Sequence, residues 1–242
     1  MAGPTYDWNN YKAIEQGETL FARRYARMQR NAAHAAAHLK DKKIEALEFG
    51  VGTGGTTPYF LDALPNMHLV CVDKDKDALG KAALSLEQHA GRIEFMNHDF
   101  AAAPRSAYRA QDGYDLIFGV FVVHNFDDKG KREVLAKTHE LLKPGGTLVI
   151  GDVMTYMNPE ANKRAWAADY EMLNELPQEE RTWWIEHFSR FDRPLAQSSE
   201  WYFDTLVMKN STGLGVGFWS AEITNRDDFW TVMRATKQTR LD

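Results

Sequence analysis

Leu47-Glu48-Phe49-Gly50-Val51-Gly52-Thr53-Gly54 is the stretch that decides how this chain folds. It continues Ile44-Glu45-Ala46, so a run of strand character from Ile44 to Phe49 ends directly in glycines. Glycine reaches backbone conformations closed to other residues and lets a second group approach the main chain closely. Gly50, Gly52 and Gly55 satisfy G-x-G-x-x-G, while Gly50, Gly52 and Gly54 satisfy G-x-G-x-G. Such a turn between strand and helix is either a packing device or a cradle for an anionic ligand group.

Downstream, strands and helices alternate. A short helix ended by Pro65 leads to a second strand, His68 to Asp73. Leu79, Ala82, Ala83 and Leu86 mark a helix that Gly91 stops, and Ile93-Glu94-Phe95-Met96 is a third strand. Tyr114 to Val123 holds a fourth. Asp128 is placed to cap a helix with Val134, Thr138, Leu141 and Leu142 on its apolar face. Lys143-Pro144-Gly145-Gly146 breaks that helix before a fifth strand, Thr147-Leu148-Val149-Ile150. This alternation predicts a mostly parallel sheet covered on both faces. Ligands then gather at the C-terminal ends of the strands, which puts Glu48 to Gly55, Asp73, Asp99 and His124 on one rim.

Upstream, residues 1–42 read as helical, with Phe21, Tyr25, Met28, Ala32, Ala35 and Leu39 on one face. After Asp152 the alternation stops. Residues 154–192 are helical in pattern and rich in Trp, Tyr, Met and Glu. A helix from about Leu195 to Met208 follows. Two strands, Gly215 to Thr224 and Phe229 to Ala235, then form a hairpin around Asn225-Arg226-Asp227-Asp228. Four segments result: 1–42, an N-terminal helical segment or lid; 43–153, a ligand-binding core; 154–192, a helical cap; and 193–242, a C-terminal helix and hairpin completing the sheet.

Composition limits the function. The 242 residues are 44% hydrophobic and 26% charged, enough for a sizeable core in an ordinary globular chain. A net charge of −5 without a basic stripe argues against a nucleic-acid partner. The lone cysteine, Cys71, sits in the apolar run Leu69-Val70-Cys71-Val72 and excludes an internal disulfide or multi-thiolate site. His34 and His38 have ligand spacing but no third partner, so no metal is expected. With no apolar leader and no run of membrane-spanning length, a cytoplasmic protein without membrane contact is expected.

Asp73 closes the second strand, where a carboxylate can accept both hydroxyls of a ribose. Glycine turn and acid together indicate an adenosine-type ligand, either a nicotinamide dinucleotide or S-adenosylmethionine. Glu48 separates the two. A pyrophosphate is disfavoured beside a carboxylate. The ammonium of S-adenosylmethionine would meet Glu48, with its carboxylate held by the glycine amides.

Five stretches in order resemble the motifs of class I S-adenosylmethionine-dependent methyltransferases. Leu47 to Gly54 looks like the first motif, and Asp73 matches the acidic residue after strand two. Asn97-His98-Asp99-Phe100 resembles the third motif, Tyr114-Asp115-Leu116-Ile117-Phe118 the fourth, and Leu141 to Leu148 the run into strand five. The closing hairpin fits that family's reversed seventh strand. The resemblance implies an α/β, Rossmann-like three-layer sandwich: a seven-stranded, mostly parallel sheet with a reversed last strand, plus a helical cap. It implies S-adenosyl-L-methionine as cofactor, held by Glu48, Gly50, Gly52, Gly54, Asp73, Lys74, Asp99, Phe100 and Gly119. Asp99 would face the adenine amino group and Phe100 would pack on the ring. Lys74 departs from the family, where an apolar residue often covers adenine, although its stem can pack there.

His124, in Val122-Val123-His124-Asn125-Phe126, stands at a rim position where related small-molecule enzymes carry His. It reads as a general base or as a residue that only hydrogen-bonds the loop or cofactor. His187 is a second candidate, as a polar gate or base, against a packing histidine. Tyr156, Trp166, Tyr170, Trp183, Trp184, Phe188 and Phe191 read mostly as core, and a cap this aromatic also suits a lid over a small organic acceptor, aromatic or amine-bearing. Asp169, Glu171, Glu175, Glu179 and Glu180 read mostly as a solvated face.

The expected function is methyl transfer to an O, N or C nucleophile of a small molecule by in-line displacement. Alternatives are an enzyme of the same fold using the cofactor, or a derivative of it, without methylation; a nicotinamide-dependent reductase; and a non-catalytic cofactor-binding subunit. An arginine aimed at an extra carboxylate would favour a derivative, and Arg23 and Arg24 lie in the first helix. The apolar face of that helix fits a lid or a homodimer contact.

Overall fold

Parallel strands buried on both faces need near-continuous apolar runs, and the chain supplies five of them. In the computed structural model, which describes residues 17–108, 112–192, 195–207 and 215–239, these are β1 (Ile44–Phe49), β2 (Met67–Asp73), β3 (Ile93–Asn97), β4 (Tyr114–Val120) and β5 (Leu142–Thr155). All are parallel, in the order β3-β2-β1-β4-β5. A two-residue strand, β6 (Gln197–Ser198), pairs with the end of β5. The hairpin β7 (Ser220–Asp227) and β8 (Trp230–Thr236) completes the main path as β5-β8-β7, with β8 antiparallel to β5. The seven-stranded sheet with a reversed last strand is therefore present, and β6 is an addition to it.

The period of two sorts β1 between the faces. Ala46 belongs to one core with Leu69 and Cys71, while Leu47 and Phe49 belong to the other with Val70 and Val72. Alternation places Glu48 on the Ala46 side. That face is covered by α1 (Leu20–Ala35), capped by the Thr19 hydroxyl, and α2 (Thr57–Ala63), with Pro58 in its first turn. α3 (Lys76–Ser85) is capped by Asp75, and α4 (Asp128–Leu141) by Asp127. α5 (Pro159–Met172), α6 (Gln178–His187) and a π-helical turn, Phe188–Asp192, follow β5, and α7 (Ser199–Val207) follows β6.

Several boundaries differ from expectation. Asp127, not Asp128, caps α4, because the Asp127 carboxylate accepts the Gly130 amide. Lys143 to Gly146 does not separate helix from strand. β5 starts at Leu142 opposite Tyr114, and the next pair is Thr147 opposite Leu116, so the four residues bulge out. A Cβ on Gly146 would lie 2.9 Å from the Lys143 carbonyl oxygen, which only glycine avoids. The hairpin turns at Asp228 and Phe229 because Asn225, Arg226 and Asp227 remain paired with β8, and Asp228 takes φ +53°. The helix expected from Leu195 begins at Ser199, after β6, and its expected end at Met208 lies outside the described residues, as do residues 1–16 of the N-terminal segment. Among the described residues no helix is long and apolar enough to cross a membrane.

One ion pair joins elements distant in sequence. Arg24 of α1 is 5% exposed and bonds the Asp169 carboxylate of α5, while its other nitrogens reach Asp227 and Asp228 of the hairpin. The Trp230 indole N–H donates to the second Asp169 oxygen at 3.3 Å. Asp169, expected on a solvated face, is therefore buried. Burial pushes its carboxyl up to about 6, with the Arg24 charge pulling it back down. Removing one partner of a buried pair leaves the other charge uncompensated, which costs about 3–5 kcal/mol. Arg24→Leu is expected to lose that much in urea denaturation, and Arg24→Leu with Asp169→Leu to regain part of it. A single variant as stable as wild type would show that the pair holds nothing together.

Candidate active site

The glycine turn is built into the sheet. Gly50, Gly52 and Gly54 take φ of +69°, +56° and +88°. The Gly50 and Val51 amides donate to the Val72 carbonyl at 2.8 and 3.2 Å. A Cβ on Gly50 would fall 2.6 Å from the Val122 side chain, so the turn also needs glycine for close approach. Asp73 accepts the Gly52 amide at 2.8 Å with one oxygen and the Asp75 amide at 2.9 Å with the other. Burial raises its carboxyl above the usual range. A carboxylate offers about four acceptor positions, so capacity remains for an added hydroxyl.

Glu48 is buried beneath α2. The Thr57 hydroxyl donates to its carboxyl at 2.7 Å, and the Cys71 thiol lies 3.8 Å from the same oxygen. The Gln29 amide of α1 reaches the neighbouring Thr56 hydroxyl at 3.2 Å. Burial pushes the Glu48 carboxyl from 4.5 up to about 8, against the lowering effect of Thr57 and Cys71.

The remaining candidates divide. Lys74 is exposed, and its carbonyl accepts the Asn97 side-chain amide at 3.0 Å. Asp99 is exposed and accepts the Ala101 and Ala102 amides, which shapes the loop after β3. Phe100 is the residue expected to pack on the adenine ring. It is buried, stacked on Phe49 at 4.8 Å and edge-on to Tyr108 at 5.8 Å. The alternation of β1 turns Phe49 to that side, and Phe100 completes its packing. Gly119 serves the same ring: a Cβ there would lie 2.5 Å from Phe49, so this glycine is accounted for by packing.

His124 stands in a short 3₁₀ turn after β4. Its Nδ1 lies 2.5 Å from one Asp152 oxygen, and its backbone amide donates to the other at 3.0 Å. Asp152 is fully buried and also accepts the Val153 amide. As acceptor of all three contacts, Asp152 assigns the imidazole proton to Nδ1 and leaves Nε2 as the basic nitrogen. His124 lines a narrow cavity with Phe21, Tyr25, Phe121, Trp166, Trp184, Phe188, Trp230, Val153 and Asp169. Phe121 has φ +58°, a strained value for an aromatic residue, and this aims its ring onto Tyr25 at 4.2 Å.

His187 packs behind the cavity wall, edge-on to Trp184 at 5.6 Å. It is buried at the end of α6, stacked on Trp183 at 4.9 Å, and is not among the cavity-lining residues. Arg24 lies behind Asp169 with its donors engaged, so it does not present a guanidinium to the cavity. Sequence reasoning missed Asp152 and Asp169 as site residues. Asp152 had a usable signal, an acid at the end of a central parallel strand; Asp169 sits in an acidic helix and had none.

A family model described as a methyltransferase domain matches residues 47–148. An uncharacterized methyltransferase of Geobacillus kaustophilus is 30% identical over 194 residues, covering 80% of this chain and 77% of that one. The chain belongs to the methyltransferases, and its fold and glycine turn place it in the class I, S-adenosylmethionine-dependent branch. Fusarielin synthase of Gibberella zeae is 32% identical over 117 residues, 48% of this chain but only 4% of that protein, so the chain matches a small part of this relative. Among solved structures, the CurJ carbon methyltransferase is 22% identical with a TM-score of 0.57, over 82% of this chain and 49% of that one, a likeness of fold.

The Glu48 environment yields a pH test. Above 4.5 the unfolded carboxyl has lost its proton, while the folded one keeps it until about 8. The stabilisation is full below the unfolded value and is lost as pH rises through the folded one. Ligand-free wild type is expected to lose stability between about pH 5 and pH 8 relative to Glu48→Gln. Parallel urea midpoints for the two proteins across that window would contradict the assignment.

Proposed function

We propose that the chain methylates a small, largely apolar acceptor at a carbon whose proton is acidic, a β-ketoacyl group being the type case, with His124 as the base. The observation that carries this reading is the His124–Asp152 pair opening on an aromatic cavity. The residues present fit the cofactor. The glycine cradle would be filled by any Cβ at Gly50, and Glu48 and Asp73 bring carboxyl groups to the two sides of that turn. Gly50, Gly52, Gly54 and Glu48 would hold the methionine end, Asp73 the ribose, and Asp99 with the Lys74 stem the adenine.

When bound, S-adenosylmethionine supplies a methyl group on a positively charged sulfur, activated for in-line displacement. The protein's part is alignment, exclusion of water and proton removal. His124 Nε2 takes the acceptor proton. The acceptor carbon would receive the methyl group that the bound cofactor supplies, and the His124 imidazolium would return its proton to water. Asp152 holds the ring in the required tautomer and stabilises the imidazolium. The aromatic walls favour an apolar or aromatic acceptor over a charged one. One printed name supports carbon as the acceptor atom, the carbon methyltransferase among the solved structures.

Methyl transfer from labelled cofactor to an acetoacetyl thioester, with catechol as the oxygen-acceptor control, tests this. His124→Ala is expected to lower kcat on the thioester by about 10²–10⁴-fold while leaving cofactor affinity within about threefold. Asp152→Asn should follow it, and His187→Phe should stay within about twofold of wild type. Transfer to catechol alone would overturn the carbon-acid reading. Unaltered turnover in His124→Ala would overturn the base.

A further inference from the structure

Lys131 comes from the polar run Asp127-Asp128-Lys129-Gly130-Lys131-Arg132-Glu133, where a lysine reads as solvated. In the structure it has no exposed surface. Its Nζ donates to three main-chain carbonyls: Phe126, Leu195 at 2.7 Å and His124 at 3.5 Å. An ammonium has three donors and no acceptor, so the three carbonyls account for the group. Burial lowers the amine from its ordinary value, while the negative charges of Asp152, Asp128 and Asp127 raise it.

Each contact meets the candidate site. His124 is tied to the sheet through Asp152, and its carbonyl faces Lys131 on α4. Leu195 lies two residues before β6, whose residues pair with Met154 and Thr155, just beyond Asp152. A second tie runs parallel to the first: the Gln197 side-chain amide donates to Asp128 at 2.6 Å. The first turn of α4 thus joins the turn that carries the base to the stretch that returns from the aromatic helices.

We propose that Lys131 is a positioning residue for methyl transfer, holding the His124 turn and the Leu195 segment in one geometry. This rests on the reading of His124 as base. Lys131 touches main-chain oxygens and no reacting atom. Its removal would free the 121–127 turn to shift against the cavity, and a displacement of about 1 Å at a reacting group costs up to about 100-fold in rate.

The test uses the full chain with Lys131→Met, which keeps the stem and removes the donors, and Lys131→Gln, which keeps an N–H donor without charge. Hydrogen exchange is read on peptides covering 121–127 and 195–199, beside thioester methylation and calorimetric binding of the demethylated cofactor. For Lys131→Met, both peptides should exchange faster with the rest of the sheet unchanged. Its kcat should fall about tenfold to 100-fold, with KM and cofactor affinity within about threefold, and Lys131→Gln should lie between it and wild type. If Lys131→Met does not fold, Lys131→Gln is read by the same criteria.

A rise in exchange spread over the whole chain, with cofactor affinity lost in step, would overturn the proposal in favour of an ordinary core residue. So would turnover within twofold of wild type, or unchanged exchange in the two peptides. Wild-type turnover in His124→Ala, or no turnover of the thioester by wild type, would instead sink the reading of the reaction. The exchange pattern would still decide whether Lys131 holds the turn.

Discussion

A polar group taken out of water must find a partner or carry a desolvation cost of several kcal/mol. At the open rim of this sheet that requirement joins elements that apolar packing alone would leave independent. Asp152, fully buried, collects the His124 ring, the His124 amide and the Val153 amide. Glu48 takes the Thr57 hydroxyl of α2. Asp169 takes Arg24 of α1 and Trp230 of β8. Lys131 collects three carbonyls from two further segments. Apart from the Val153 amide, which belongs to the same strand as Asp152, these pairings cross between elements near the ends of β1, β4 and β5.

The aromatic cavity magnifies this constraint. Phe21, Trp166, Trp184, Phe188 and Trp230 pack ring on ring, with Phe21 to Trp184 at 5.3 Å and Trp166 to Phe188 at 6.1 Å. Such walls screen charge poorly, so a histidine–carboxylate contact inside them is stronger than the same contact in water. They also explain the strained Phe121. Its left-handed backbone turns the ring against Tyr25, and the Asn125 side chain braces the loop through the Phe121 carbonyl at 3.4 Å. Strain at a rim loop persists only where its surroundings over-determine it, as they do here.

Much of this was legible in the sequence. The core strands and the reversed hairpin follow from apolar runs, the glycine turn and the order of motifs, because parallel strands admit few residue types. The rim positions of Glu48, Asp73, Asp99 and His124 follow from strand ends. What escaped depends on side-chain direction and long-range pairing. Phe100 looked like a cofactor platform, yet it stacks on Phe49, and only the parity of β1 decides that. Asp169 and Lys131 sit among charged neighbours, and no local pattern separates them from solvated ones. Their partners lie 145 and 64 residues away in the case of Arg24 and Leu195. The bulge at Gly145 and Gly146 was misplaced because a glycine pair reads as a break whether the chain leaves the sheet or stays in it.

In the proposed reaction His124, oriented by Asp152, removes a proton from the acceptor. Deuterium wash-out from an α-deuterated acetoacetyl thioester, followed with the demethylated cofactor present, isolates proton removal from methyl transfer. Wild type is expected to exchange the label faster than the uncatalysed rate, and His124→Ala to return it to that rate. Equal exchange by the two proteins would contradict proton removal by His124.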